Sequence, residues 1–438
     1  MNKFTKDIDD VMPTFCAIPF VSMVVNTDAT IQPCCMMKRG THRILDKEGN
    51  RITIKDKLED AWNSAEMKNI RTAMVNGEAL DGCKVCYLQE SSGRISNRQY
   101  SNTEWSGRLG EQTMYKLIDR AVLTGGELDY SIAYLDLRLG NLCNLKCRMC
   151  NPFNSSQIAK EHIELEKKDE KYKLVWAKSF GRFDQRIMDL QPWFDGDVLW
   201  DQIIDLIPSL KKVYMTGGEP TLIQNNFKFM EECIRRGRRD ITLFFNTNCT
   251  NVNKKFTNLI GQFGRVNINA SIDGVGEVND YVRSPSHWAQ ISANVETLAQ
   301  MPNVHLGVTP TVQTYNVFNL VDTLKWVDDL NKKYKKSIFV DFLINVHPAH
   351  LSVSILPDDI RTRVANELIA YRDANFTGQT PELTVNSVNG IIGLLQKPRA
   401  TDWEDQMRRF KDYTHSLDVE RDQSLRSIST ELADLINE

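Results

Sequence analysis

The sequence predicts an α/β protein: an open, partial (β/α)6 barrel, TIM-like but incomplete, behind a small N-terminal domain and ahead of a helical extension. Three observations predict it. From about residue 130 onward, short β-branched runs alternate with amphipathic stretches. Apolar residues make up 41% and charged residues 25% of 438, the balance of a chain with ample core. Eight of the ten cysteines fall into two groups, one of them directly behind the first strand run.

The strand candidates are AYLDLRL (133–139), KVYMTG (212–217), ITLFFNT (241–247), RVNINASI (265–272), VHLGVTPTV (304–312) and SIFVDFLINV (337–346). Between them lie helical patterns such as NFKFMEECIRRG and NVFNLVDTLKWVDDLNKKY. Repeated βα units imply parallel strands joined by right-handed crossovers. Six units are too few for a closed eight-stranded barrel, and chemistry belongs at the carboxyl ends of such strands. The first crossover is long: residues 155–205 hold a charged helix-like piece (SSQIAKEHIELEKKDEKYK), read as a solvated face, and a Trp/Pro/Gly-rich piece (QPWFDGDVLW). Before the barrel, short strands and turns surround a helix at EDAWNSAEMKNIRTAMVNG that ends at Gly77. Beyond Pro357 the chain reads as helical, with a heavily charged segment from about Asp402 to Glu438. The predicted domains are residues 1–100, 130–350 and 351–438.

Lysine plus arginine count 54 against 57 acidic residues, a net charge of −3, which leaves no global electrostatic case for nucleic acid or an anionic membrane as partner. No apolar run reaches the length of a bilayer span, and the start, MNKFTKDIDDVMPTF, mixes charges of both signs. The expectation is a cytoplasmic protein. Ten cysteines there are not a disulfide framework, because that compartment keeps thiols reduced. Cys233, mid-helix, and Cys249, behind the third strand, read as small buried residues.

Directly behind the first barrel strand comes Cys143-Asn-Leu-Lys-Cys147-Arg-Met-Cys150. Three thiolates on one loop can converge on a metal centre, and with no fourth nearby a four-iron cluster would keep one iron open. A zinc knuckle is the alternative, but structural zinc wants four closed ligands and no histidine follows at finger spacing. The second strand runs into Met215-Thr-Gly217-Gly218-Glu219-Pro220. Its glycines let backbone approach a ligand closely, and its carboxylate can accept from an ammonium group. Both motifs fall on the same rim.

In these two elements, in this order, the chain resembles the radical S-adenosylmethionine enzymes over about residues 130–350. The resemblance implies that Cys143, Cys147 and Cys150 hold a [4Fe–4S] cluster whose open iron is chelated by the methionine moiety of S-adenosylmethionine. It implies that Gly217, Gly218 and Glu219, with Pro220 closing the motif, bind the methionine amine. Ser271-Ile-Asp273-Gly274, followed by Asn-Asp-Tyr-Val-Arg283, is similar to the SxDG…R pattern of the peptide-modifying branch, where serine and arginine bind the cosubstrate carboxylate. Asn246-Thr-Asn248 ends strand three, where the family places a ribose-contacting polar residue, with Asn248 the candidate among the three. Val308–Val312 would flank the adenine, and Met149 stands where the family commonly has an aromatic. His347, after the sixth strand, is the histidine candidate for acid–base work.

Upstream, Phe15-Cys16-Ala-Ile-Pro-Phe20 is followed by Asp28-Ala-Thr-Ile-Gln-Pro-Cys34-Cys35 and later by Cys83-Lys-Val-Cys86. A CxxC can be a redox dithiol or half a metal site, and the upstream cysteines favour a metal, with zinc as well as iron–sulfur open to four thiolates. The arrangement resembles the twitch domain, a shortened SPASM module, here placed before the barrel, with Ala29 where a hairpin glycine is usual. It implies one auxiliary [4Fe–4S] cluster on Cys16, Cys34, Cys83 and Cys86, with Cys35 pointing away because neighbouring strand residues face opposite ways.

The implied function is reductive cleavage of S-adenosylmethionine to a 5′-deoxyadenosyl radical that takes hydrogen from a substrate. A peptide or protein side chain is the leading substrate class, and a small molecule such as an amino sugar or nucleotide the runner-up. An electron donor such as flavodoxin or ferredoxin is the implied partner. A non-enzymatic zinc-binding module is the rival of another class, and GGEP with the strand-end serine and arginine argue against it.

Overall fold

The structure is a computed structural model that describes residues 3–37, 41–54, 56–91, 95–181 and 193–437. The chain divides into two compact units: Met1–Gly140 with Gln191–Gly217 and Asn225–Leu243, and Asn141–Leu190 with Gly218–Gln224 and Phe244–Glu438.

In the first unit β1 (Ser22–Val25) and β2 (Ile31–Gln32) form an antiparallel hairpin, with Val24 opposite Gln32. Asp28 shapes its turn by accepting from the Thr30 amide (3.2 Å) and hydroxyl (2.6 Å), an Asx-type turn. Ala29 follows with φ at 65°, the left-handed conformation for which glycine is the usual choice. β1 then runs parallel to β3 (Tyr134–Arg138), and β3 parallel to β4 (Lys212–Thr216), giving the order β2-β1-β3-β4. The pairing of β1 with the first barrel strand was not among the sequence expectations.

The expected helix ending at Gly77 is two helices, Leu58–Trp62 and Ala65–Val75. The break falls at Asn63-Ser64, where the Ser64 hydroxyl accepts from the Met67 amide (3.3 Å) and starts a new helix. Gly77 itself has φ 75°, as a residue behind a helix end should.

In the second unit the strands are β5 (Thr242–Thr247, its first two residues belonging to the first unit), β6 (Val266–Ala270), β7 (Val304–Val308), β8 (Thr311–Val312), β9 (Phe339–Val340) and β10 (Leu343–Ile344). The order is β5-β6-β7-β9, with β6, β7 and β9 parallel. β6 alternates: Val266, Ile268 and Ala270 are buried, Asn267 and Asn269 half-buried. The fifth and sixth predicted strands are each broken in two. Thr309-Pro310 interrupts the fifth, since proline has no amide to give to a ladder, and the far halves, β8 and β10, pair in a separate two-stranded sheet.

The charged piece of the first crossover forms helices Ser156–Lys168 and Glu170–Phe180, the second capped by Asp169. Its reading as a solvated face needs correction at Glu161. That carboxylate is buried, held by Lys146 (2.9 Å) and by a two-pronged contact from Arg421 (2.9 and 2.6 Å), and two cations make its burial affordable. Gln191 and Pro192 of the Trp/Pro/Gly-rich piece lie outside the described residues. Beyond Pro357 the chain is helical as expected, with helices Asp358–Asn375, Glu382–Leu395, Trp403–Arg421 and Thr430–Leu435. Among the described residues no helix is long and apolar enough to cross a membrane.

Candidate active site

The loop behind β3 carries the three cysteines on a backbone that is tied down at both ends. Asn141 donates to the Pro152 carbonyl (2.7 Å), and the Ser155 hydroxyl to the Leu145 carbonyl (2.8 Å). Within it the Lys146 and Arg148 amides donate to the carbonyls of Ser284 (2.6 Å) and Val282 (2.9 Å). Cys147 is buried, while Cys143 and Cys150 are partly open. Burial raises all three thiols, Cys143 to about 12, and in Cys143 and Cys150 the neighbouring thiols raise them further. Three neighbouring thiols that repel one another as anions suit a cationic iron–sulfur core, which takes them as thiolates. Among the described residues no three His, Cys, Asp or Glu side chains converge as they would on a single ion. A cluster takes one thiolate per iron, so its ligands stand farther apart than those of one ion.

The motif behind β4 depends on the absence of side chains. A Cβ on Gly217, whose φ is 112°, would lie 2.9 Å from the Gly140 carbonyl oxygen. One on Gly218 would lie 2.2 Å from the Leu142 carbonyl oxygen. The Glu219 amide donates to that Leu142 carbonyl at 2.7 Å, and Pro220 opens the turn Pro220–Leu222.

Glu219 is buried, and its carboxylate accepts from the Thr221 amide (3.1 Å), the hydroxyls of Thr221 (2.6 Å) and Thr247 (2.7 Å), and the Asn248 amide (2.7 Å). Burial raises its pKa, and these four donors oppose the rise. Three of the four act on Oε1, so Oε2 keeps room for another donor. Glu219 therefore also fixes the end of β5. There Asn248 donates to the Asn144 side chain (3.0 Å) in the cysteine loop and accepts from the Thr250 amide (2.9 Å) and hydroxyl (2.7 Å).

At the end of β6, the Ser271 amide donates to the Thr247 carbonyl (2.8 Å), and its side chain is half-buried. Asp273 is buried. It accepts from the Thr311 amide (2.7 Å) and lies 2.8 Å from Arg283 Nε as an ion pair. Arg283 Nη1 also reaches the Cys147 sulfur at 3.7 Å. Burial opposes the Arg283 charge, yet Asp273 and Cys147 hold its pKa above the ordinary value. The structure thus brings Cys147, Asp273 and Arg283 into contact, and links Glu219, Asn248 and the cysteine loop by hydrogen bonds. Val308 and Val312 are buried. His347 is exposed, its ring edge-on to Phe180 with centroids 5.6 Å apart.

In the first unit Cys16, Cys34, Cys83 and Cys86 line one cavity with Pro19, Met36, Met37, Met74 and Arg98, and Cys35 is not in its wall. Burial is the largest cause of a raised pKa at Cys16, Cys83 (to about 11) and Cys86. Four thiols around an apolar cavity, set wider than a single ion needs, fit a closed iron–sulfur cluster. Sequence reasoning missed Arg98, a buried guanidinium paired with Asp9 (2.7 Å) and Glu90 (2.8 Å) that donates to the Phe15 carbonyl (2.8 Å) beside Cys16. Its helix start was legible, because Ser96 and Gln99 form a capping box. Also missed was His350, buried against Ser179 (2.9 Å), its pKa pushed down to about 3 by burial.

Residues 137–327 match the model described as the radical SAM superfamily, and residues 16–87 the model of an iron-sulfur cluster-binding domain, SPASM. Solved structures of Streptococcus suis SuiB are similar to the chain. SuiB bound to precursor peptide SuiA has 11% identity and a TM-score of 0.34, covering 70% of this chain and 63% of that one. SuiB bound to S-adenosylmethionine has 12% identity and a TM-score of 0.34, covering 70% and 62%. A third SuiB structure has 13% identity and a TM-score of 0.36, covering 76% and 66%. The chain spans less than two-thirds of the length of these SuiB chains. None of the curated proteins matches it.

Proposed function

The chain belongs to the radical SAM superfamily by residues 137–327 and carries a SPASM iron–sulfur domain at residues 16–87, and from that premise we propose an enzyme that uses S-adenosylmethionine to abstract hydrogen from a peptide or protein side chain. The observation that carries it is the contact of Arg283 with Cys147 and Asp273 on the rim that also holds Glu219 and Asn248. When bound, the cluster supplies the electron that breaks the carbon–sulfur bond of the cosubstrate, releasing methionine and the 5′-deoxyadenosyl radical.

In this reading Cys143, Cys147 and Cys150 hold the cluster, and Arg283 offers its guanidinium to the cosubstrate carboxylate from beside a ligand sulfur. Ser271 adds a half-buried hydroxyl at the same end of β6. Gly217 and Gly218, packed against the Gly140 and Leu142 carbonyls, would receive the methionine amine, and Glu219 Oε2 has capacity for that ammonium. Asn248, held by Glu219 and Asn144, would be the residue to contact the ribose. Holding the reacting groups in contact is what such residues contribute, and it is worth orders of magnitude in rate. Cys16, Cys34, Cys83 and Cys86 would hold the auxiliary centre, which could bind substrate or accept the electron left after hydrogen abstraction; in the second role the net reaction would be an oxidation. Flavodoxin or ferredoxin supplies the first electron. The peptide class is supported by the Ser271-Ile-Asp-Gly274…Arg283 pattern and by the four-thiol domain.

The test uses anaerobically reconstituted, reduced protein with S-adenosylmethionine and a deuterated peptide encoded beside its gene. 5′-Deoxyadenosine should form and carry deuterium. Formation without deuterium from any such peptide sinks the substrate class, and zinc with no labile sulfide sinks the enzyme.

A further inference from the structure

The cysteine loop has an anchor that none of its motifs accounts for. Arg148, between Cys147 and Cys150, is fully buried. Its guanidinium lies 3.7 Å from the Tyr281 ring centroid, donates to the Tyr281 carbonyl (3.2 Å) and to Gln423 (3.1 Å), and forms an ion pair with Asp418. Asp418 belongs to the last turn of the helix Trp403–Arg421. It also accepts from the Tyr281 hydroxyl (2.8 and 3.0 Å) and from the Leu425 amide (2.9 Å). From the same helix Tyr413 donates to the Arg148 carbonyl (2.8 Å).

Tyr281 stands two residues before Arg283. The loop amides of Arg148 and Lys146 donate to Val282 and Ser284, so they bracket Arg283 from both sides. One carboxylate therefore holds the guanidinium of the cysteine loop and the tyrosine of the arginine-bearing segment together. A buried arginine is costly unless it is paired, and this pair lies beside the two backbone hydrogen bonds that join the cysteine loop to the Arg283 segment.

We propose that Asp418 is a positioning residue for cosubstrate binding, and that the C-terminal helix is a working part of the cluster loop through the Asp418–Arg148–Tyr281 contact. The inference rests on the cluster assignment proposed above. A merely structural pin would change stability and cluster loading. A positioning role changes how the loaded cluster meets S-adenosylmethionine.

The experiment compares the wild-type chain with Asp418→Asn, Asp418→Glu and Tyr281→Phe, all reconstituted anaerobically. Iron and sulfide per chain and the melting temperature are measured first. The reduced cluster is then titrated with S-adenosylmethionine, and the change in its electron paramagnetic resonance signal is followed. Asp418→Asn should keep wild-type iron and need about 10–100-fold more cosubstrate for the half-maximal change, the scale of lost outer-shell partners at metal sites. Asp418→Glu should recover part of the loss. Tyr281→Phe, which leaves the ion pair in place, should show a smaller shift at unchanged melting temperature, and it carries the test if Asp418→Asn fails to fold. Wild-type titration midpoints in Tyr281→Phe and in every folded Asp418 variant overturn the proposal. Variants that lose stability or iron without any shift in midpoint overturn it too. A wild-type protein whose signal ignores S-adenosylmethionine removes the cluster assignment itself, and the proposal with it.

Discussion

The two cysteine centres differ in what surrounds them. The three-cysteine loop is set among charges that are already paired: Arg283 with Asp273, Arg148 with Asp418, and Glu161 with Lys146 and Arg421. The four-cysteine cavity is walled by Pro19, Met36, Met37 and Met74, with Arg98 the one charged residue in its wall among the described residues. A centre that must receive a zwitterionic cosubstrate needs fixed charges with known directions, and desolvating and orienting them beforehand lowers the cost of binding. A centre closed by four thiolates has no ligand to receive. An apolar wall there does the different work of excluding water and setting potential.

The largest effect expected from this contrast is at the loop. Cys143→Ala, Cys147→Ala or Cys150→Ala should each abolish 5′-deoxyadenosine formation, measured chromatographically, because each removes a ligand that nothing replaces. Turnover at the wild-type rate in any one of them breaks the contrast at its stronger side.

Next come the charged groups. Glu219→Gln and Arg283→Lys should leave the cluster assembled and weaken S-adenosylmethionine binding by roughly 1.5–3 kcal/mol each, the worth of a hydrogen bond to a charged group. Glu219→Gln swaps one acceptor oxygen for a donor among four donors, so its effect reaches Asn248 as well. A binding isotherm on loaded protein checks both, and normal affinity in Arg283→Lys means the arginine serves Asp273 alone.

In the first unit the choice between neighbours can be read directly. Cys34→Ala should lose the auxiliary metal and product while uncoupled cosubstrate cleavage persists, and Cys35→Ala should keep the metal. The reverse pattern, by iron analysis of the two variants, would show that the cavity wall was misassigned. The smallest effect is at the hairpin. Ala29→Gly should raise stability by about 1 kcal/mol in a denaturant melt, since an L-residue in the left-handed region costs roughly 1–2 kcal/mol and glycine does not. No gain there would mean that Ala29 does not hold φ 65° in solution.

Strands β3 to β6 were legible because short β-branched and apolar runs set between helical patterns mark them locally. The break behind β7 was legible in principle, since Pro310 removes a ladder donor. The parallel pairing of β1 with β3 was not, because a parallel partner more than a hundred residues away leaves no local mark. The cysteine motifs were readable from spacing, but strand alternation does not part Cys34 from Cys35, since both lie beyond the end of β2; Cys34 lines the cavity and Cys35 does not. Asp418, Arg421 and Glu161 were hidden for the opposite reason. Charged residues on helices read as solvated, and only folding brings Asp418 to Arg148, 270 positions away.

The central claim, an open three-thiolate cluster beside a closed four-thiolate one, is tested most directly by the variant with alanine at positions 143, 147 and 150. After anaerobic reconstitution it should retain about half the wild-type iron and labile sulfide, since one of two Cys-ligated clusters remains, and it should form no 5′-deoxyadenosine. A variant free of iron but loaded with zinc, or one that still cleaves S-adenosylmethionine, contradicts the account.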